Sequence, residues 1–216
     1  LKQLAQTEMI GPSDFVWQQG DTETRHVNDV DGLLHEIAQA SINVLENVVP
    51  VKHTLLGKWT KEGSSLISHP SSKKEPSIIL VPFRPDGEYR LRVVAKNHNT
   101  WGALIIGLAY DDAQFGAFCA ASNKSWLQKL KGKHKHTTTR PISFFPTSAP
   151  VTITCTIRKD SVLIESNSRA TLEWRGNYID FARKPHVFVD IPDRRSLYLG
   201  AWGNFEVMEM RWSRLR

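Results

Sequence analysis

Residues 151–157, Val-Thr-Ile-Thr-Cys-Thr-Ile, constrain this chain more than any other stretch. Val151, Ile153, Cys155 and Ile157 alternate with Thr152, Thr154 and Thr156, with a β-branched residue at almost every step. Successive strand side chains point to opposite faces, so this pattern predicts a strand with one face buried and one wet. A turn at Lys159-Asp-Ser161 and a second apolar run, Val162 to Glu165, complete a hairpin. The chain later enters a long strand, Leu197 to Trp212, bent at Gly200-Ala-Trp-Gly203, and the whole predicts a β-sandwich closing on itself. Within that last strand the alternation slips. Phe205 and Val207 fall on one parity, Met210 and Trp212 on the other, and a β-bulge near Met208-Glu209 would turn all four inward.

Upstream, from Val51 onward, the vocabulary is the same. Leu55 to Thr60, Ser65 to Ser68 and Ser77 to Phe83 are short strand candidates, separated by His69-Pro-Ser-Ser72 and Arg84-Pro-Asp-Gly87. Glu88 to Ala95, Trp101 to Tyr110 and Phe115 to Ala120 follow. In the first of these Tyr89, Leu91 and Val93 share a face opposite Glu88, Arg90 and Arg92. Many short strands with turn signals between them describe a sandwich or jelly roll. Trp59 and Trp212 are assigned to its core.

Composition narrows the class. The 216 residues are 40% hydrophobic and 23% charged, the balance of a globular chain long enough to bury a core. Cys119 and Cys155 both lie in apolar runs, as buried free thiols or as a disulfide across the two sheets. No apolar run reaches the roughly 18 residues of a membrane span. The chain begins at Leu1 rather than a methionine and is expected to be a fragment, so no compartment is assigned. The net charge of +6 is unevenly spread. Residues 1–50 carry two basic against eight acidic side chains, a balance of −6, leaving 26 basic and 14 acidic, or +12, for the rest. That shift places a boundary near Pro50.

Before that boundary, Asn28 to Val48 shows apolar residues at 30, 33, 34, 37, 44, 45 and 48, the spacing of one helical face. Asn28 is a suitable N-cap and Pro50 a stop, so a linking amphipathic helix is predicted over 28–49. Further upstream, Leu1-Lys-Gln-Leu-Ala5, Ile10, Asp14-Phe-Val-Trp17, Gly20 and Asp31-Gly-Leu33 resemble the C-terminal part of the bacterial GYF-type domain. The resemblance covers about residues 1–35. It lacks the Gly-Tyr-Phe element and the second tryptophan, whose place is taken by Asp21 to His26. GYF domains bind proline-rich peptides through an aromatic surface; here Trp17 is read as a core residue.

The order of the β pieces resembles a second family. Gly87-Glu-Tyr-Arg-Leu-Arg-Val93, a glycine-punctuated apolar strand, Val151 to Arg158, and the terminal Leu197-Tyr-Leu-Gly-Ala-Trp202 with Phe205 to Arg211 are similar to concanavalin-A-like lectin/glucanase domains, especially laminin-G-like bacterial members. The expected fold is therefore mainly β, a concanavalin-A-like jelly-roll β-sandwich over 51–216 with a short α-helical N-terminal segment. The resemblance implies a non-catalytic ligand-binding module of a larger protein, carbohydrate first, with a protein–protein interaction or scaffold module as alternative. A glycoside hydrolase is the weakest reading, because the Glu-x-Asp-x-x-Glu motif of the glucanases has no counterpart. No carboxylate pair of the kind glycosidases need stands out.

Saccharide surfaces stack pyranose C–H faces on aromatic rings and fix hydroxyls with Asn, Asp and Arg. Three places pair such residues: Asn97, Asn99 and Trp101; Trp174, Arg175 and Asn177; Trp202 and Asn204. Trp126 is a further candidate. Lys129, Lys131, Lys133, Lys135 and Arg140 form a basic run for an anion. With Trp126 the only aromatic among these cations, nucleic acid is not favoured. His134 and His136 have no acid near them, so no metal and no cofactor is expected. Asp111 and Asp112 read as a turn.

Overall fold

The computed structural model describes residues 41–69, 75–121, 124–128, 140–167, 171–181 and 190–215, with the backbone of 15–16 and 25–26. In chain order the strands are β1 (Phe15–Val16), β2 (Arg25–His26), β3 (Ile42–Asn43), β4 (Thr54–Leu56), β5 (Lys58–Glu62), β6 (Ser65–His69), β7 (Ser77–Val81) and β8 (Tyr89–Asn97). They continue as β9 (Ala103–Tyr110), β10 (Ala113–Ala120), β11 (Trp126–Leu127), β12 (Val151–Arg158), β13 (Ser161–Ser166), β14 (Thr171–Arg175), β15 (Leu197–Trp202) and β16 (Phe205–Arg214). One antiparallel sheet runs β11-β10-β9-β15-β7-β4. The other runs β14-β13-β12-β8-β16-β6-β5, with β3 added on β16. Together they form the expected concanavalin-A-like jelly-roll sandwich.

The two sheets differ in what their outer faces meet. In the larger one, β8 and β12 alternate strictly between buried and half-exposed or exposed residues. Leu91, Val93, Ile153, Cys155 and Ile157 face the core, and Arg90, Arg92 and the three threonines face outward. The bulge expected near Met208 is there. The register of β16 against β8 shifts between Val207 and Glu209, so that Phe205, Val207 and Met210 are all buried and Trp212 packs on the same core. Cys119 and Cys155 are buried free thiols, and Trp59 is in the core.

The inner strands of the smaller sheet, β7, β9, β10 and β15, are buried on both faces. Its inner face supplies Leu104, Ile106, Phe115, Leu197 and Leu199 to the main core. Its outer face builds a second apolar layer from Ile78, Ile105, Phe118, Tyr198 and Ile191, with Trp126 and Trp202 packed against it. Gly116, Gly107 and Tyr198 lie in one row across β10, β9 and β15. A Cβ at Gly107 would stand 2.0 Å from the Tyr198 ring, so the ring lies over a position only glycine can fill.

Residues 41–49 correct the predicted helix over its described part. They form β3 and a turn instead of helix, paired with Trp212 and Arg211 of β16. Val44, Leu45 and Val48 are buried in the main core. The Lys61 ammonium holds the turn by donating to the carbonyls of Leu45, Glu46 and Val48 at 3.0, 3.1 and 3.2 Å. The only helical turn next to it is Pro50–His53. The sandwich thus includes residues from Ile42 onward; the remainder of the predicted helix and nearly all of the GYF-like stretch lie outside the described residues. Of that stretch, β1 and β2 pair antiparallel, Phe15 opposite His26.

Candidate functional site

At one end of the sandwich the strands open on a cleft of about 1470 Å³. Four loops wall it: the β9–β10 turn, the β12–β13 turn, the chain following β14, and the approach to β15, with Arg84 beside the last. The β9–β10 connection is a two-residue hairpin, Asp111-Asp112, closed by the Tyr110–Ala113 pair. Asp111 takes φ 50°, the one positive value on a non-glycine residue among those described. Aspartate tolerates the left-handed region better than most side chains. The tight turn leaves Tyr110 half-buried at the rim.

One wall is aromatic and apolar. Tyr110 stacks on Tyr178 with ring centroids 4.7 Å apart and planes 16° from parallel. Tyr178 in turn meets Phe115, Phe181 and Trp174. Its hydroxyl lies 2.6 Å from the Arg158 carbonyl and 2.7 Å from that of Ser161, giving its proton to one or the other. Burial, reinforced by Tyr110, Asp160 and Glu88, pushes that hydroxyl far above its ordinary pKa and keeps it a donor. Ile179 and, from the second apolar layer, Ile191 also line the cleft.

The polar part of the lining is locked. Asp193 accepts from the Ser196 hydroxyl at 2.6 Å, from Arg84 Nε at 2.7 Å and from the Arg195 backbone N–H at 3.1 Å. Burial works to raise this carboxyl, but the Ser196, Arg84 and Arg195 hydrogen bonds outweigh it and hold it below the usual carboxylate range. Buried Gln114 donates to the carbonyls of Asp193 and Ser196, and Arg195 pairs with Asp112 at 2.6 Å. Asp111, Asp160 and Asp190 make no ion pair among the described residues. Among the described residues no group of three His, Cys, Asp or Glu is placed to hold a metal ion.

The opposite end is closed. Asn97 donates to the Trp101 carbonyl at 3.2 Å and accepts from the Asn99 N–H at 3.0 Å, while His98 N–H donates to the Asn204 carbonyl at 2.9 Å. Buried Ser68 donates to the Gly203 carbonyl and accepts from the Phe205 N–H, both at 2.9 Å. Gly102, at φ 103°, runs so near the 202–203 backbone that a Cβ would stand 1.7 Å from the Trp202 carbonyl oxygen.

This geometry sorts the candidates. Asn97, Asn99, Trp101, Trp202 and Asn204 come together at the closed end, where Asn97 is buried and its amide is spent on the loop backbone. Trp202 and Trp126 flank Phe118 on the outer face of the smaller sheet, at centroid distances of 5.9 and 4.9 Å. Trp174 is corrected to a core residue, buried against Tyr178 and Phe181. Its neighbours Arg175 and Asn177 do line the cleft. Arg140 is exposed and bridges Ser125 through its backbone, whereas Lys129, Lys131, Lys133 and Lys135 lie outside the described residues. Sequence reasoning missed Tyr110, Tyr178, Ile179 and the Asp193–Ser196 turn. The available signal was a tyrosine directly preceding a two-residue Asp-Asp turn.

Solved structures with this architecture include the Crh5 transglycosylase, 13% identical, with 82% of this chain and 85% of that one aligned at a TM-score of 0.55. The exoplasmic/lumenal domain of VIP36 in its Ca²⁺/Man3GlcNAc-bound form is 10% identical, with 82% and 89% aligned at 0.52. At such identities the likeness establishes the fold, a lectin-like jelly roll, and nothing finer. No family model matches the chain, and no curated protein matches it in sequence. The GYF resemblance therefore gains no support.

Proposed function

We propose that this protein is a non-catalytic carbohydrate-binding module whose ligand occupies the cleft. The observation that carries the reading is that one cleft is lined both by the half-buried Tyr110 ring, seated on buried Tyr178, and by side chains fixed by mutual hydrogen bonds. A pyranose is built the same way, with C–H faces that stack on aromatic rings and an equator of hydroxyls. Rings that stand on a packed aromatic cluster lose little freedom on binding, which favours affinity. A volume of about 1470 Å³ exceeds a typical small-molecule pocket of roughly 300–1,000 Å³ and leaves room for several sugar units. The VIP36 structure carrying Man3GlcNAc supports the same ligand class on this architecture.

The non-catalytic part of the reading rests on two of the five aspartates that line the cleft. Asp193 is held ionised by Ser196, Arg84 and Arg195, the opposite of the protonated acid that glycoside cleavage requires. Asp112 is engaged by Arg195. The test is a glycan array probed with the full chain, followed by chromatography of each bound oligosaccharide after prolonged incubation. Binding with the oligosaccharide recovered intact is expected. Shortened or transferred products would refute the non-catalytic assignment, and silence across neutral and acidic glycans would refute carbohydrate binding.

A further inference from the structure

We infer that the saccharide in the cleft carries an N-acetyl group, received by Ile179 and Asn177. This rests on the carbohydrate reading above. Four large hydrophobic residues are exposed among those described, Ile42, Val49, Val51 and Ile179. Ile179 alone of these lines the cleft, 63% exposed on the same wall as Tyr110 and Tyr178. It is no isolated surface residue but the wet margin of an apolar wall.

Its neighbour supplies the polar half. Ile179 stands on the 3₁₀ turn Tyr178–Asp180, and the Asn177 Oδ1 accepts from the Ile179 N–H at 3.1 Å. That bond fixes the Asn177 amide beside the Ile179 backbone and uses its acceptor. The Nδ2 hydrogens have no partner among the described residues. An apolar side chain next to a pre-positioned amide donor matches an acetamido group, with a methyl for Ile179 and a carbonyl oxygen for Asn177 Nδ2. A hydroxyl offers no methyl, and a 6-deoxy sugar's methyl brings no carbonyl. Five basic and five acidic side chains line the cleft, so an acidic saccharide gains no net attraction there.

Chitotriose and cellotriose differ only in acetamido against hydroxyl at C2, and both are titrated into the full chain by calorimetry. Chitotriose is expected to bind about tenfold tighter, the worth of one buried methyl and one hydrogen bond together. Asn177→Asp keeps the acceptor that caps the turn but removes the donor, and Ile179→Ser removes the apolar contact from an exposed position. Each is expected to erase most of the preference, while Ile179→Val retains it. Equal binding of the two trisaccharides, or a preference untouched by both variants, overturns the inference and leaves carbohydrate binding standing. Failure of both trisaccharides while glycans without an N-acetyl group bind on the array also overturns it. Failure of every glycan removes the carbohydrate reading as well.

Discussion

The two ends of the sandwich are made of the same kind of part, turns between adjacent strands, and are put to different use. At the closed end the side chains of Asn97 and Ser68 are spent on backbone groups, and Gly102 lets two loops touch. At the open end Gln114 and Tyr178 also bond to backbone carbonyls, but Arg84 pairs with Asp193 and Arg195 with Asp112 across loops that line a cleft. An aromatic residue beside a polar one occurs at both ends. Both ends use side chains to satisfy backbone groups; what separates them is that the open end adds side-chain ion pairs between loops and keeps a void. Stability is therefore expected to reside at the first and recognition at the second.

The sharpest way to break this contrast is at Gly102. Gly102→Ala meets both a backbone clash and a left-handed φ, and is expected to destabilise the fold by about 3 kcal/mol, read from denaturant midpoints. A variant as stable as the parent would mean that the closed end is not tightly packed. Trp202→Ala should follow with a loss of about 2 kcal/mol, since the ring packs with Phe118 in the second apolar layer. Loss of glycan affinity without loss of stability would reverse the roles assigned to the two ends.

A smaller effect is expected at Asp193. Asp193→Asn should cost about 1 kcal/mol at neutral pH, because the bonds from Ser196 and Arg84 lose their ionic acceptor. The sign of the pH dependence follows from the lowered carboxyl. A folded-state pKa below the unfolded value of roughly 3.9 contributes stability that is present above that value and lost as pH falls through the folded one. The parent should therefore lose more stability than Asp193→Asn as pH falls below about 4. Parallel acid unfolding curves would show that Asp193 does not hold the cleft wall.

What could be read from the sequence was whatever depends on near neighbours. Alternation placed β8 and β12 with the correct faces inward, and the parity slip at Met208 located the bulge. The 41–49 stretch was misread because Val44, Leu45 and Val48 satisfy a helical spacing that a turn satisfies too. The group that decides between them is Lys61, more than ten residues away in sequence, capping three carbonyls. The runs of β9 and β15 identify them only as strands; their burial on both faces, and the second layer in which Tyr198 crosses Gly107, emerge from the structure. For the site, adjacency misled. Trp174 next to Arg175 and Asn177 looked like a sugar contact, but strand alternation turns the ring into the core and leaves only its neighbours in the cleft. Tyr110 was hidden at the end of an apolar strand, and its stacking partner Tyr178 comes from far along the chain.

The most direct test of the open-end assignment compares Tyr110→Ala with Trp202→Ala, each titrated by calorimetry with whichever glycan the parent binds best. Tyr110→Ala is expected to stay folded and lose affinity at least about tenfold, as removal of a stacking ring does, while folded Trp202→Ala keeps the parent value. Undiminished binding by Tyr110→Ala, with binding lost in Trp202→Ala, would place the ligand on the outer face of the smaller sheet and contradict the account.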